Sequence, residues 1–148
     1  MYMTQENPIL EALPVAGALS LLHLKGAEAL SIAIDIDGTL CPNSMDPSEY
    51  ATLELFPGAK ETISTLSRLG VRIIIWTSRS EGWRAITEYW LKDKGIPFNE
   101  LFMGKPSAQL YIDDRSFKFV SWSDVINRLL LPTPQVQITP SPPESKGE

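Results

Sequence analysis

The sequence predicts an α/β fold, a parallel sheet with helices on both faces, and three observations carry that expectation. Strand-like and helix-like segments alternate between residues 31 and 131, the order that a parallel sheet with crossover helices requires. The run Val71-Arg72-Ile73-Ile74-Ile75-Trp76 is apolar and β-branched apart from Arg72, as in a strand covered on both faces. Two strand candidates end in acids, Asp35 with Asp37 and Asp113 with Asp114. Such sheets bind ligands beyond the carboxyl ends of their strands.

The elements follow in order. Residues 1–30 begin polar and turn helical in pattern, with Leu19, Leu22 and the Ala/Leu run Ala27 to Leu30 available for packing. We expect a helical extension docked on the domain or on a second copy of the chain, a possible homodimer. Residues 31–36 read as the first strand and 41–56 as a loop rich in Pro, Asn and Asp. Pro57-Gly58 opens a helix with Ala59, Ile63, Leu66 and Leu69 on one face, and Gly70 stops it. Residues 71–76 are the second strand. Residues 81–94 read as a helix with Trp83, Ile86 and Trp90 on its core stripe, ended by Gly95-Ile96-Pro97. Short strands are expected at 100–103, 109–112 and 117–120, then a helix over 122–131. From Pro132 on, 5 of 17 residues are proline, which predicts a disordered tail over 132–148. The expected organisation is an extension (1–30), one domain (31–131) and the tail.

Composition bounds the rest. At 148 residues, with 43% hydrophobic and 21% charged, there is room for one domain with a real core. A formal charge of −5 supplies no basic field to draw in nucleic acid non-specifically. The apolar stretch 14–24 is too short to cross a bilayer, and no Lys or Arg precedes Lys25 to form the basic start of a signal peptide. The single cysteine, Cys41, has no internal disulfide partner. We therefore expect a cytoplasmic protein without a membrane partner. The single histidine, His23, has no second ligand at helical spacing and reads as a surface or packing residue.

The chemistry concentrates in Asp35-Ile36-Asp37-Gly38-Thr39-Leu40, which follows the apolar run Ile32-Ala33-Ile34. Side chains alternate along a strand, so Asp35 and Asp37 share a side, and two like charges at that spacing repel unless a cation lies between them. A divalent metal is implied, and magnesium suits one or two carboxylates joined by a substrate phosphate. An Asp-Gly turn closing a strand would use the same residues. Asp-x-Asp-Gly-Thr arises by accident in a chain of this length on the order of one time in a thousand.

With this motif the sequence resembles the haloacid dehalogenase (HAD) superfamily of phosphatases and phosphotransferases. The later motifs of that pattern follow in order: Thr77-Ser78-Arg79 after the second strand, Lys105 in Gly104-Lys105-Pro106, and Asp113-Asp114-Arg115. The resemblance spans about residues 31 to 131 and implies a Rossmann-like sheet. It also implies a magnesium-dependent phosphomonoester hydrolase working through an aspartyl-phosphate. On it, Asp35 is the nucleophile and Asp37 the general acid and base. Thr77 and Ser78 hold the phosphoryl group, and Lys105 neutralises developing charge. Arg79, directly after the second motif, is a candidate to bind the substrate phosphate by paired hydrogen bonds, or else simply pairs with an Asp or Glu at the surface. Asp35, Asp37, Asp113 and Asp114 are the metal residues, with Asp114 favoured over Asp113 as the direct ligand. Cys41, next to this motif, could be read as a nucleophile, but the only histidine lies in another segment.

Relatives with cap domains insert them after the first motif or between the second and third. Here those gaps are residues 41–56 and 80–104, the second already filled by a helix and a strand. No cap is expected, so the substrate is one that excludes water itself or is closed in by a partner subunit. The phosphorylated substrate is a small molecule or a nucleic-acid end. Similarity to the phosphatase part of polynucleotide kinase-phosphatases makes a 3′-phosphatase the alternative enzyme. An inactive HAD-like module that binds a phosphorylated partner is the non-enzymatic alternative, and it predicts loss of a motif residue.

Overall fold

The computed structural model describes residues 30–129. The predicted extension, apart from Leu30, and the predicted tail lie outside the described residues, as does His23. Among the described residues three strands form one parallel sheet in the order β1-β2-β3: β1 is Ser31–Ile34, β2 is Arg72–Trp76 and β3 is Glu100–Phe102. The register pairs Ile32 with Ile73, Ile34 with Ile75, and Ile75 in turn with Leu101.

Parallel neighbours need a crossover, and helices supply both. Helix α1, Ala59–Arg68, joins β1 to β2 and buries Ala59, Thr62, Ile63 and Leu66, the helical spacing of one face. Leu69, expected on that face, caps the helix and is exposed. Between β2 and β3, the short 3-10 turn Glu81–Trp83 leads into helix α2, Arg84–Asp93, which buries Thr87, Trp90 and Leu91. Of the expected aromatic stripe only Trp90 reaches the core, where its indole N–H donates to the Leu53 carbonyl at 2.8 Å. Trp83 stays exposed because it belongs to the 3-10 turn. Helix α3, Trp122–Leu129, packs Trp122 and Val125 into the same core as Ile34, Ile63, Ile73, Ile75 and Trp90.

Three expectations about strands change. In β2, Ile73 and Ile75 are fully buried while Arg72 and Trp76 are exposed, so among the described residues one face of this strand is covered, not two. Residues 109–112 form no strand: Leu110, Tyr111 and Ile112 all face solvent. The Tyr111 hydroxyl bonds the Pro106 carbonyl and accepts the Ala108 N–H. These local bonds fold the segment back on itself instead of leaving it extended for a ladder. Residues 117–120 form no strand either, although Phe117 and Phe119 pack against the core. Among the described residues no helix is long and apolar enough to cross a membrane.

Candidate active site

The chain leaves β1 at Ile34, and the acidic motif turns sharply at once. The amides of Thr39 and Leu40 donate to the Ile36 carbonyl at 3.0 and 2.8 Å, and the Gly38 amide donates to the Cys41 carbonyl at 2.8 Å. Gly38 sits at φ +80°, where a Cβ would also come within 3.0 Å of the Asn43 amide oxygen, so this turn needs glycine for both conformation and space. Trp122, from α3, donates its indole N–H to the Thr39 carbonyl at 2.9 Å. The last described helix is thereby tied to the acidic turn.

Both acids of the motif are met by cations from distant segments. Asp35 Oδ1 accepts the Ile36 amide at 2.7 Å, and its Oδ2 accepts Lys105 Nζ at 3.2 Å. Lys105 is delivered by backbone contacts with the second motif: its amide donates to the Thr77 carbonyl at 2.8 Å and the Gly104 amide to the Arg79 carbonyl at 2.9 Å. Asp37 is gripped by Arg79 through both oxygens, Nε to Oδ2 at 2.9 Å and Nη2 to Oδ1 at 2.8 Å, the fork geometry that guanidinium and carboxylate share. The Arg79 guanidinium is buried, lies over the Tyr50 ring at 3.7 Å from its centre, and reaches Thr87 Oγ1 at 3.4 Å.

Thr77 is fully buried at the end of β2. Its amide donates to the Phe102 carbonyl at 3.0 Å, and its hydroxyl accepts the Arg79 amide at 3.2 Å. That hydroxyl shapes the turn that aims Arg79 at Asp37. Ser78 is exposed beside it. Cys41 is buried and its thiol is pushed up to about 12, first by burial and then by the neighbouring Asp37 charge. It stays protonated, which removes it as a nucleophile.

Asp35, Asp37, Thr77, Arg79 and Lys105 therefore come together, whereas Asp113 and Asp114 do not join them. Both of those acids are exposed; Asp113 Oδ1 accepts the Arg115 amide at 2.6 Å, and Asp114 lies 3.9 Å from the Arg115 guanidinium. No group of three or more His, Cys, Asp or Glu side chains is placed to hold a metal ion among the described residues. Repulsion between Asp35 and Asp37, the sequence-level reason for a metal, is met here by Lys105 and Arg79. The predicted four-acid set does not fit a divalent ion in this arrangement. A single carboxylate such as Asp35 is a donor that magnesium accepts only when waters and a substrate phosphate complete its shell.

Sequence reasoning missed Tyr50 and also Trp76, whose ring centre lies 4.6 Å from Lys105 Nζ. Tyr50 lies in a loop, and nothing in its surroundings in the chain marks it as the platform beneath Arg79. An aromatic residue directly before Thr77 was the available signal for Trp76. A cleft of about 360 Å³ between Gly38, Phe56, Phe119 and Trp122 lies beside the acidic turn, but Asp35, Asp37 and Lys105 do not line it.

No family model matches the chain, and no curated protein matches it significantly. Among solved structures, a crystal structure of an MCSG target from Vibrio cholerae is similar at TM-score 0.50 and 26% identity, over 64% of this chain and 85% of that one. Two structures of a Pnkp1/Rnl/Hen1 complex, one named as an RNA repair complex, are similar at TM-scores of 0.45 and 0.44. Their identities are 23% and 25%, over 58% and 57% of this chain and only 32% and 28% of theirs. The Vibrio cholerae likeness agrees with an α/β fold on a parallel sheet; the other two are too distant to bear on fold or activity.

Proposed function

We propose that this chain is a phosphomonoester hydrolase of HAD type, without a cap, in which Asp35 attacks phosphorus. The observation that carries the reading is the Asp35–Lys105 pair. Residues 70 apart in the chain meet 3.2 Å apart where β1 ends, the end of a parallel sheet at which ligands bind. Two of the roughly four lone-pair sites of the Asp35 carboxylate are used by Ile36 and Lys105, which leaves the others for a phosphoryl group.

The reaction runs in two displacements. An Asp35 oxygen forms a bond to phosphorus as the bond to the leaving alcohol oxygen breaks, and Asp37 gives that oxygen its proton. Water then attacks phosphorus, passes a proton back to Asp37, and releases phosphate and the free Asp35 carboxylate. Arg79 sets the Asp37 carboxylate in place through both oxygens, so proton transfer requires one of those bonds to open. Lys105 offsets charge on the phosphoryl oxygens. Thr77, with the exposed Ser78, frames the turn on which the phosphoryl group rests. Magnesium, held by Asp35 and the substrate phosphate, would supply further positive charge.

The test is hydrolysis of p-nitrophenyl phosphate with and without magnesium by the wild type and Asp35→Asn. We expect magnesium-stimulated turnover by the wild type and none above background by the variant. Equal rates for the two proteins would refute the assignment, and phosphate release without stimulation by magnesium would remove the metal from it.

A further inference from the structure

Two aromatic rings lie against the Lys105 ammonium that reaches Asp35. Its Nζ lies 4.6 Å from the ring centre of Trp76 and 4.6 Å from that of Tyr111, while it bonds Asp35 Oδ2 at 3.2 Å. Neither ring centre can be farther from the carboxylate than those two lengths laid end to end. Both rings are open to water, Trp76 at 39% exposure and Tyr111 at 44%, and Phe102, the register partner of Trp76 on β3, is open as well.

Exposure alone does not set these two rings apart, since Trp83 and Tyr89 are also open to water; the contact of Trp76 and Tyr111 with the Lys105 ammonium does. Trp90 and Trp122 are both enclosed, with their indole N–H groups satisfied. Trp76 and Tyr111 instead leave large apolar area in water, and both are held in place. Trp76 belongs to the central strand. Tyr111 is fixed through its hydroxyl by the Pro106 carbonyl and the Ala108 amide. Two fixed aromatic rings, each partly open to water and each in contact with the Lys105 ammonium, suit a ligand that joins a planar ring to a phosphate: the ring stacks while the cation takes the charge.

We propose that Trp76 and Tyr111 form a stacking wall for a nucleobase, so that the phosphoester brought to Asp35 belongs to a nucleotide or to the phosphorylated end of an oligonucleotide. This rests on the reading of Asp35 as the phosphoryl site and deepens it to a substrate class. The chain carries a formal charge of −5, which disfavours tracking along many backbone phosphates. Recognition is therefore confined to the terminal nucleotide, by stacking.

Adenosine 5′-monophosphate and ribose 5-phosphate test this, because they share the leaving oxygen and differ in the base. We expect kcat/KM to favour the nucleotide by about tenfold to a hundredfold, the usual worth of one stacked base. Trp76→Leu should collapse that ratio toward one and Trp76→Phe should keep most of it, each variant being checked by its thermal midpoint. A 3′-phosphorylated oligonucleotide run alongside distinguishes a nucleic-acid end from a free nucleotide. Equal use of the two small esters by the wild type, or a loss in Trp76→Leu that falls on both alike, overturns the stacking wall while leaving the hydrolase intact. If neither ester turns over, calorimetric titration of adenosine 5′-monophosphate decides the wall by itself. Binding that Trp76→Leu abolishes supports it; binding that is absent, or unchanged in the variant, overturns it.

Discussion

Replacing Arg79 by Met should cost the domain a large share of its stability, and the loss should depend on Asp37. The side chains of this pair are 1% and 17% exposed. Taking away one partner of so enclosed a pair leaves the other charge without compensation, at about 3–5 kcal/mol. Lost contact with the Tyr50 ring, 3.7 Å beneath the guanidinium, adds roughly 0.5–2 kcal/mol. Against a total of about 5–15 kcal/mol for a domain of this kind, the urea midpoint should fall by about 1 M or more. Met keeps much of the stem volume, which separates lost charge from lost packing. Asp37→Asn in the same background should restore most of the loss, because the amide carries no charge to strand. A coupling below about 1 kcal/mol in that double-mutant cycle, or an unchanged midpoint in Arg79→Met alone, would refute the account of Arg79 as the counter-charge of Asp37.

Three further outcomes are expected. Lys105→Met, judged by steady-state phosphate release, should lower kcat by about a hundredfold to a thousandfold, as when one preorganised charge partner is lost from a transition state; a change confined to KM would assign the lysine to binding alone. Cys41 has a folded pKa raised from 9.0 to about 12, so its contribution is complete below pH 9 and is lost as pH rises toward 12. Burial raises Tyr50 in the same direction. Thermal midpoints measured from pH 8 upward should therefore fall more steeply for the wild type than for Cys41→Ala, and parallel slopes would contradict this. Trp122→Phe deprives the Thr39 carbonyl of its indole donor and should cost about 1–3 kcal/mol in chemical denaturation, with hydrolysis weakened in step; a drop in stability with full activity would show that the tie does not reach the site.

Much of this architecture was legible in the sequence because hydrophobic period and turn chemistry agree there. The Gly58 and Gly70 boundaries of α1, the β2 run and the strand feeding Asp35 all follow from local pattern. The meeting of Asp35 with Lys105 was expected only through the resemblance, since neither residue alone differs from a surface acid or lysine. Arg79 was read either as a phosphate ligand or as the partner of a surface acid; its guanidinium is spent on an acid, Asp37, but in a buried pair, a choice set by burial and by Tyr50 beneath it. The strand expected over 109–112 failed for another reason. A short apolar run has no preference strong enough to be extended without a partner, and the Tyr111 hydroxyl offered it a local alternative. With that strand absent, Asp113 and Asp114 lost the element that was to carry them to the first motif.

The bond from Trp122 to Thr39 also has a consequence for how the protein is made. The acidic turn leaves the ribosome more than eighty residues before the indole that steadies it. Until that late helix emerges, Thr39 has no such partner, and the newly made Asp35 rests on a loop that is not yet braced. Competence of the site should therefore appear late in synthesis, with the arrival of Trp122.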